Sequence, residues 1–253
     1  MSKKNPDSKK RLDQLLIERG LALDLDKACK MIMAGEVLVD ESRDQKPGTL
    51  VSEKSSIRLI EKGQFVSRGG DKLQAAIDYF VINILGQVAI DIGSSTGGFT
   101  DCLLKNGVSK VYALDVGKNE LDWSLRNDKR VVALDGVNAR ELDQFPKITF
   151  NPVPTFATID VSFISLTLVL PPLLKLLSKG SQVLALIKPQ FELPKEDILD
   201  GGVVKDPELH KKVCKTISDF SIEIGFSVKG IFESPVRGAR KGNQEFFIWL
   251  CLG

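Results

Sequence analysis

Residues 88–104 read VAIDIGSSTGGFTDCLL. An apolar run of strand length ends near Asp91, a glycine turn follows at Gly93, Gly97 and Gly98, and Phe99 to Leu104 resumes with helical character. Strand, glycine turn and helix in that order present free backbone N–H groups beside a turn that a ligand can approach closely. The spacing is not GxGxxG, because Ser95 stands where a second glycine would be. It therefore suits a nucleoside with an amino-acid tail better than a dinucleotide pyrophosphate. Asp91, Gly93, Ser94, Ser95, Thr96, Gly97, Gly98 and Phe99 are the expected contacts of this turn. Asp115 closes the next apolar run, at the distance where an acid bonds ribose hydroxyls, and Asp135 and Asn138 follow the third run, where they could read an adenine edge.

Working outward, apolar runs recur at 88–92, 111–116, 131–134, 156–161, 183–188, 226–232 and 245–252. Five of these seven alternate with helical segments, which predicts an α/β fold with a mostly parallel sheet. The last two runs are joined by about a dozen residues, as in an antiparallel hairpin at a sheet edge.

Before residue 62 the pattern differs. Leu12, Leu15 and Leu16 mark a first helix ending at Gly20, and a second helix spans roughly 26–33, with Asp24 or Asp26 as its cap and Ala28, Ile32 and Met33 on one side. Glu36–Asp40 and Ser56–Ile60 read as short strands, with a turn at Lys46-Pro47-Gly48. This predicts a small α+β domain over 1–61, a linker at 62–66 and a larger domain over 67–253. Leu73, Ala76, Ile77 and Phe80 form a helical stripe just after the linker, and the glycine pair 69–70 is expected to lie before that helix and expose its N-terminus.

Composition narrows the function classes. Hydrophobic residues make up 43% of the 253 and charged residues 27%, so a core can form. Phe163–Leu177 is the longest apolar region, but Pro171, Pro172 and Lys175 break it, so a spanning helix is not expected; the N-terminal lysines have no apolar segment behind them, so neither is a secretory signal. Cys29, Cys102, Cys214 and Cys251 are scattered, which fits reduced thiols in a cytoplasmic protein and no metal site. The net charge of +2 does not announce a nucleic-acid binder. The first residues are more basic: Lys9, Lys10 and Arg11, with Lys3 and Lys4, face only Asp7.

Seven segments together resemble the TlyA (haemolysin A) family: FVSRGGDKL from 65, DIGSSTGGFTD from 91, LDW-x-LR-x-D-x-RVV over 121–132, DVSFISL from 160, IKPQFE from 187, GGVV-x-D from 201 and GNQEFF from 242. RLDQLL, AGEVLVD and KPG in the first 61 residues resemble the S-four type of RNA-binding domain. The resemblance implies a class I, Rossmann-like methyltransferase with an FtsJ-like domain. The implied cofactor is S-adenosylmethionine, and the implied reaction is 2′-O-methylation of a cytidine in ribosomal RNA or a ribosomal subunit. It also implies a Lys-Asp-Lys-Glu constellation, which falls on Lys72, Asp160, Lys188 and Glu245, with Asp160 also facing the cofactor. Arg68, Arg237 and Arg240 join the N-terminal basic residues as candidate RNA contacts.

The chemistry explains the residue types. A ribose hydroxyl attacks a sulfonium methyl only when it is held in line and its proton is taken or strongly shared. Lys188 is the expected activating group, although a free lysine with a pKa of ~10.4 is almost wholly charged at neutral pH. Lys72 is a second cation that could favour the neutral amine, and Asp160 and Glu245 would hold the two lysines in place. His210 is expected to be an exposed helix residue, and Phe246, Phe247 and Trp249 mostly core. The competing readings are an RNA-binding assembly factor without catalysis and a membrane-active haemolysin, the latter lacking an amphipathic or spanning segment.

Overall fold

The computed structural model describes residues 8–33, 36–42, 46–59, 63–144, 150–198, 202–238 and 242–253. The chain divides into two compact units, Met1–Gly63 and Gln64–Gly253. Gly35, Ile60, Lys62, Arg240 and Lys241, and the lysines at 3 and 4, lie outside the described residues.

In the first unit β1 (Lys9–Arg11) leads directly into α1 (Leu12–Glu18), followed by α2 (Leu25–Met33), β2 (Val37–Val39), β3 (Leu50–Ser52) and β4 (Ile57–Leu59). Two antiparallel ladders, β1 with β3 and β2 with β4, accompany the helices. Asp24 caps α2 by accepting from the Lys27 N–H at 2.8 Å. Leu12, Leu15, Leu16, Ala28, Met31 and Ile32 form the core, whereas Met33, expected on the buried side, is 71% exposed because Met31 takes the inward position.

The basic stretch 9–11 is strand, which periodicity did not show. Lys10 is paired with Glu18 at 2.7 Å and Glu53 at 3.0 Å, and Arg11 is paired with the buried Asp13 at 2.6 Å. Of these three expected RNA contacts, two already have carboxylate partners, and Lys9 is exposed.

The second unit contains α3 (Arg68–Phe80), β5 (Val88–Ile92), α4 (Gly98–Lys105), β6 (Lys110–Asp115), α5 (Trp123–Arg126), β7 (Val131–Asp135), β8 (Phe156–Ile159), α6 (Leu166–Leu174), β9 (Gln182–Ile187), α7 (Pro189–Glu192), α8 (Pro207–Glu223), β10 (Phe226–Glu233) and β11 (Phe246–Leu252). The seven strands form one sheet in the order β10-β11-β9-β8-β5-β6-β7. β5 to β9 are parallel, and β11 runs antiparallel between β9 and β10. The last strand is thus interior and β10 is the edge. This is the Rossmann-like order of a class I methyltransferase, with the chain reversing direction across the sheet at β5 and β8. Ligands bind at the carboxyl ends of strands beside such a switch point.

Apolar layers cover both faces. Ile90, Leu114, Ile159, Ile187 and Phe246 pack with α6 and α8 on one side, and Ala89, Val111, Phe156, Leu184 and Phe247 with α3 and α4 on the other. The alternation of Phe246 and Phe247 between the two layers follows from the period of two along a strand. Phe65, expected in the linker, is buried in this unit against Gly70. The glycine pair 69–70 lies within the first turn of α3 rather than before it. Gly70 is there for close packing: a Cβ on it would overlap the Phe65 ring. His210 is half-buried rather than exposed, its Nε2 at 3.1 Å from the Val204 carbonyl and its ring 5.4 Å from that of Phe246.

Candidate active site

A cavity of about 430 Å³ opens at the carboxyl ends of β5, β8 and β9. Its lining comes from Ser67–Gly69 and Lys72 of α3, Gly93–Thr96 of the glycine turn, and Gly98 and Phe99 of α4. Asp160, Ser162 and Phe163 after β8, Lys188, Gln190 and Phe191 after β9, and Glu245 before β11 complete it. All four residues of the expected constellation therefore face one space, together with most of the glycine turn.

The turn is built for close approach. Gly93 has φ +84°, in the region that favours glycine, and a Cβ there would lie 2.5 Å from the Asp160 carbonyl oxygen. The turn thus passes directly over the end of β8. Ser95 also takes a positive φ of 45°, and its N–H donates to Asp115 at 2.8 Å.

The acids divide by environment. Asp91 has no exposure, and its two oxygens accept from the Thr100 hydroxyl at 2.7 Å and the Thr158 hydroxyl at 2.9 Å. Burial with only neutral donors pushes its carboxyl up to about 7. It does not line the cavity. The contact expected of it is replaced by a structural one, in which it ties β5 to α4 and β8. Asp115 accepts from the N–H groups of Ser95 and Gly117, the latter at 2.7 Å. Asp135 pairs with Arg126 at 2.9 Å, and Asn138 accepts from the Arg140 N–H. Gly97, Asp115, Asp135 and Asn138 are absent from the cavity lining. Partners that periodicity does not reveal engage the three polar ones: backbone N–H groups for Asp115 and Asn138, and the Arg126 side chain for Asp135.

The charged wall consists of two ion pairs. Lys188 lies 2.6 Å from Asp160, and its Nζ also donates to the Ser162 hydroxyl at 3.1 Å. Lys72 meets Glu245 at 2.5 Å, and both are almost fully buried. The Asp160 contact is an ion pair without a hydrogen bond, so Ser162 takes one of the three ammonium donors and Lys188 keeps donors for a further partner. Glu192 fixes the loops that carry these groups. Its carboxylate accepts from Ser165, at 2.5 Å, and from the Leu166 N–H, at 2.9 Å, at the start of α6, which joins the turn after β9 to the loop after β8. Burial raises its pKa.

Sequence reading missed Ser67, Ser162, Phe163, Gln190 and Phe191 as site residues. Phe163 and Phe191 stand with ring centres 5.0 Å apart, and Phe163 is 75% exposed with φ +64°. Their position within DVSFISL and IKPQFE was the only available signal. Arg68 is exposed and lines the cavity; Arg237 is exposed and does not. No cysteine lines it, and burial raises the Cys214 thiol to about 11.

The family model for FtsJ-like methyltransferases matches residues 65–252, nearly all of the second unit. The Bacillus subtilis protein YqxC, whose name proposes an rRNA methyltransferase, is 47% identical over 96% of this chain and 85% of its own. A Mycobacterium tuberculosis protein named 16S/23S rRNA (cytidine-2′-O)-methyltransferase TlyA is 40% identical over 95% of this chain and 89% of its own. The solved structure of a Streptococcus thermophilus protein, described as a candidate hemolysin, superposes with a TM-score of 0.71 at 43% identity, covering 98% of this chain and 90% of that one. The glycine turn, the two lysine–carboxylate pairs and these likenesses place the chain in the FtsJ-like methyltransferase family, among its TlyA/haemolysin A members.

Proposed function

We infer that this enzyme transfers a methyl group from S-adenosylmethionine to the 2′-hydroxyl of a cytidine in ribosomal RNA, in the cytoplasm. The observation that carries the reading is the gathering of Lys188–Asp160 and Lys72–Glu245 on the same cavity as the Gly93–Thr96 turn. The names of the relatives support the substrate, and the resemblance supports the tetrad.

The residues fit the cofactor. The bare backbone at Gly93 leaves space that a Cβ would fill; the Gly93 and Ser94 N–H groups go to the Leu114 carbonyl and that of Ser95 to Asp115, so Thr96 and Gly98 on the cavity wall supply the backbone donors that suit a carboxylate tail. Each Asp115 oxygen holds one backbone N–H and retains a further lone pair for ribose hydroxyls. When bound, S-adenosylmethionine supplies an electrophilic methyl on sulfur. Lys188, steadied by Asp160 and Ser162, orients the ribose hydroxyl with its remaining valence. In its neutral amine form it would accept the hydroxyl proton while the methyl passes from sulfur to oxygen and the sulfonium leaves as the neutral thioether. Lys72 and Glu245 set the charge and shape of the opposite wall, and Phe163 with Phe191 offers a face on which the exposed base can stack. Arg68 at the mouth and Lys9 on the small N-terminal unit, read as S-four-like, are phosphate contacts in this reading.

The test is methylation of purified ribosomal subunits with labelled cofactor, followed by mapping of the modified nucleotide. Label on a cytidine 2′-oxygen is the expected result; label on a base, or none, would overturn it. Among the described residues no helix is long and apolar enough to cross a membrane.

A further inference from the structure

A second cavity, of about 380 Å³, lies beside the start of β11. Gln244 lines it, whereas Glu245, the next residue, lines the catalytic cavity. Successive residues of an extended chain face opposite ways, so the two cavities meet across one backbone segment. The segment is firmly held. Asn243 accepts from the Val204 N–H at 2.9 Å and donates to the Gly202 carbonyl at 2.8 Å, and Gln244 donates to the Ser234 carbonyl at 2.9 Å.

The charges in this second cavity are unspent. Lys205, Arg237 and Glu233 all line it, all are exposed, and none forms an ion pair among the described residues. Arg237 gives one N–H to the Gly242 carbonyl at 3.4 Å, which leaves four of its five donors. His210 adds a ring whose Nε2 is committed to Val204, with Nδ1 left over. Two cations and one carboxylate in a pocket of this size match the parts of a nucleotide. A phosphate takes the cations, and the exocyclic amine of a base donates to the carboxylate.

We propose that this pocket holds a second nucleotide of the substrate RNA, with its phosphate on Lys205 and Arg237 and a base amino group on Glu233. The inference rests on the RNA reading above and extends it to a subsite for a nucleotide other than the one methylated. Only uracil among the four bases lacks an exocyclic amine, so the pocket disfavours uridine.

Binding of the intact protein to poly(C) and poly(U), measured across a salt series, tests this without methyl transfer. The double variant K205A/R237A should bind both polymers about tenfold more weakly, with a salt slope shallower by about one to two. The Glu233→Ala variant should abolish a preference for poly(C) over poly(U) without weakening poly(U) binding. Unchanged affinity and slope in the double variant, or a cytidine preference that survives Glu233→Ala, would overturn the assignment. All three residues are exposed, and unfolding curves matching wild type establish that the variants are folded. Failure of ribosomal methylation alone would sink the proposed reaction and leave these binding results to decide the pocket.

Discussion

Asp91 and Glu245 are both buried carboxylates at the ligand-binding end of one sheet, and their surroundings treat them in opposite ways. Glu245 meets the ammonium of Lys72 at 2.5 Å, and Asp91 meets only neutral donors, chiefly the hydroxyls of Thr100 and Thr158. The first belongs to a wall made of charged side chains, the second to the base of a wall made of backbone. Two hydroxyl bonds do not offset the desolvation of Asp91, so its proton is retained toward neutral pH. A charged wall of this kind can act on a hydroxyl proton. The backbone wall can only shape and donate, and the acid beneath it serves as a tie. Burial alone therefore does not identify a catalytic acid; its partner does.

The largest effect expected from breaking this contrast is on chemistry. Replacing Lys188 by alanine should lower the rate of methyl transfer by about two to four orders of magnitude, as for loss of a proton-transfer group, while cofactor affinity measured by calorimetry stays near wild type. Near-normal turnover would remove Lys188 from the mechanism.

The next effect is on stability. Glu245→Ala leaves the Lys72 ammonium buried without a counter-charge and should cost about 3–5 kcal/mol in denaturant unfolding. Adding Lys72→Met and restoring volume with Glu245→Leu should recover most of that stability, because a buried ion pair is roughly balanced against apolar packing, without restoring activity. If the apolar pair restored turnover, the charges would have no role in the reaction.

The most gradual effect, spread over several pH units, separates the two acids by pH. An unfolded Asp91 releases its proton near pH 4, and the folded one near 7. Between these values the folded state binds more protons than the unfolded state, so this group's contribution makes stability fall as pH rises through that window. The slope is about 1.4 kcal/mol per pH unit when only this group differs. Asp91→Asn should flatten the slope between about pH 4 and 7 in unfolding measurements. A profile identical to wild type would mean that Asp91 stays ionised despite its burial.

How much was legible depended on the range of the interaction. The β5–turn–α4 unit was readable because its strand, its glycines and its helix are consecutive, and periodicity reports burial directly. The tetrad was reached only through motif resemblance: Lys72 and Glu245 are 173 residues apart, and no spacing rule joins them. The inward turn of Asp91, the Asp135–Arg126 pair and the strand conformation of 9–11 were not readable, because each depends on a partner from another element.

By itself the amino-acid order determined the seven strands of the large sheet and where the glycine turn lies, since these rest on local period and backbone freedom. Tertiary structure alone decided that β11 enters between β9 and β10 and so brings Glu245 to Lys72 and Gln244 to the second pocket. Charge pairing and cavity shape are properties of groups brought together from a distance, and only the packed sheet brings them there.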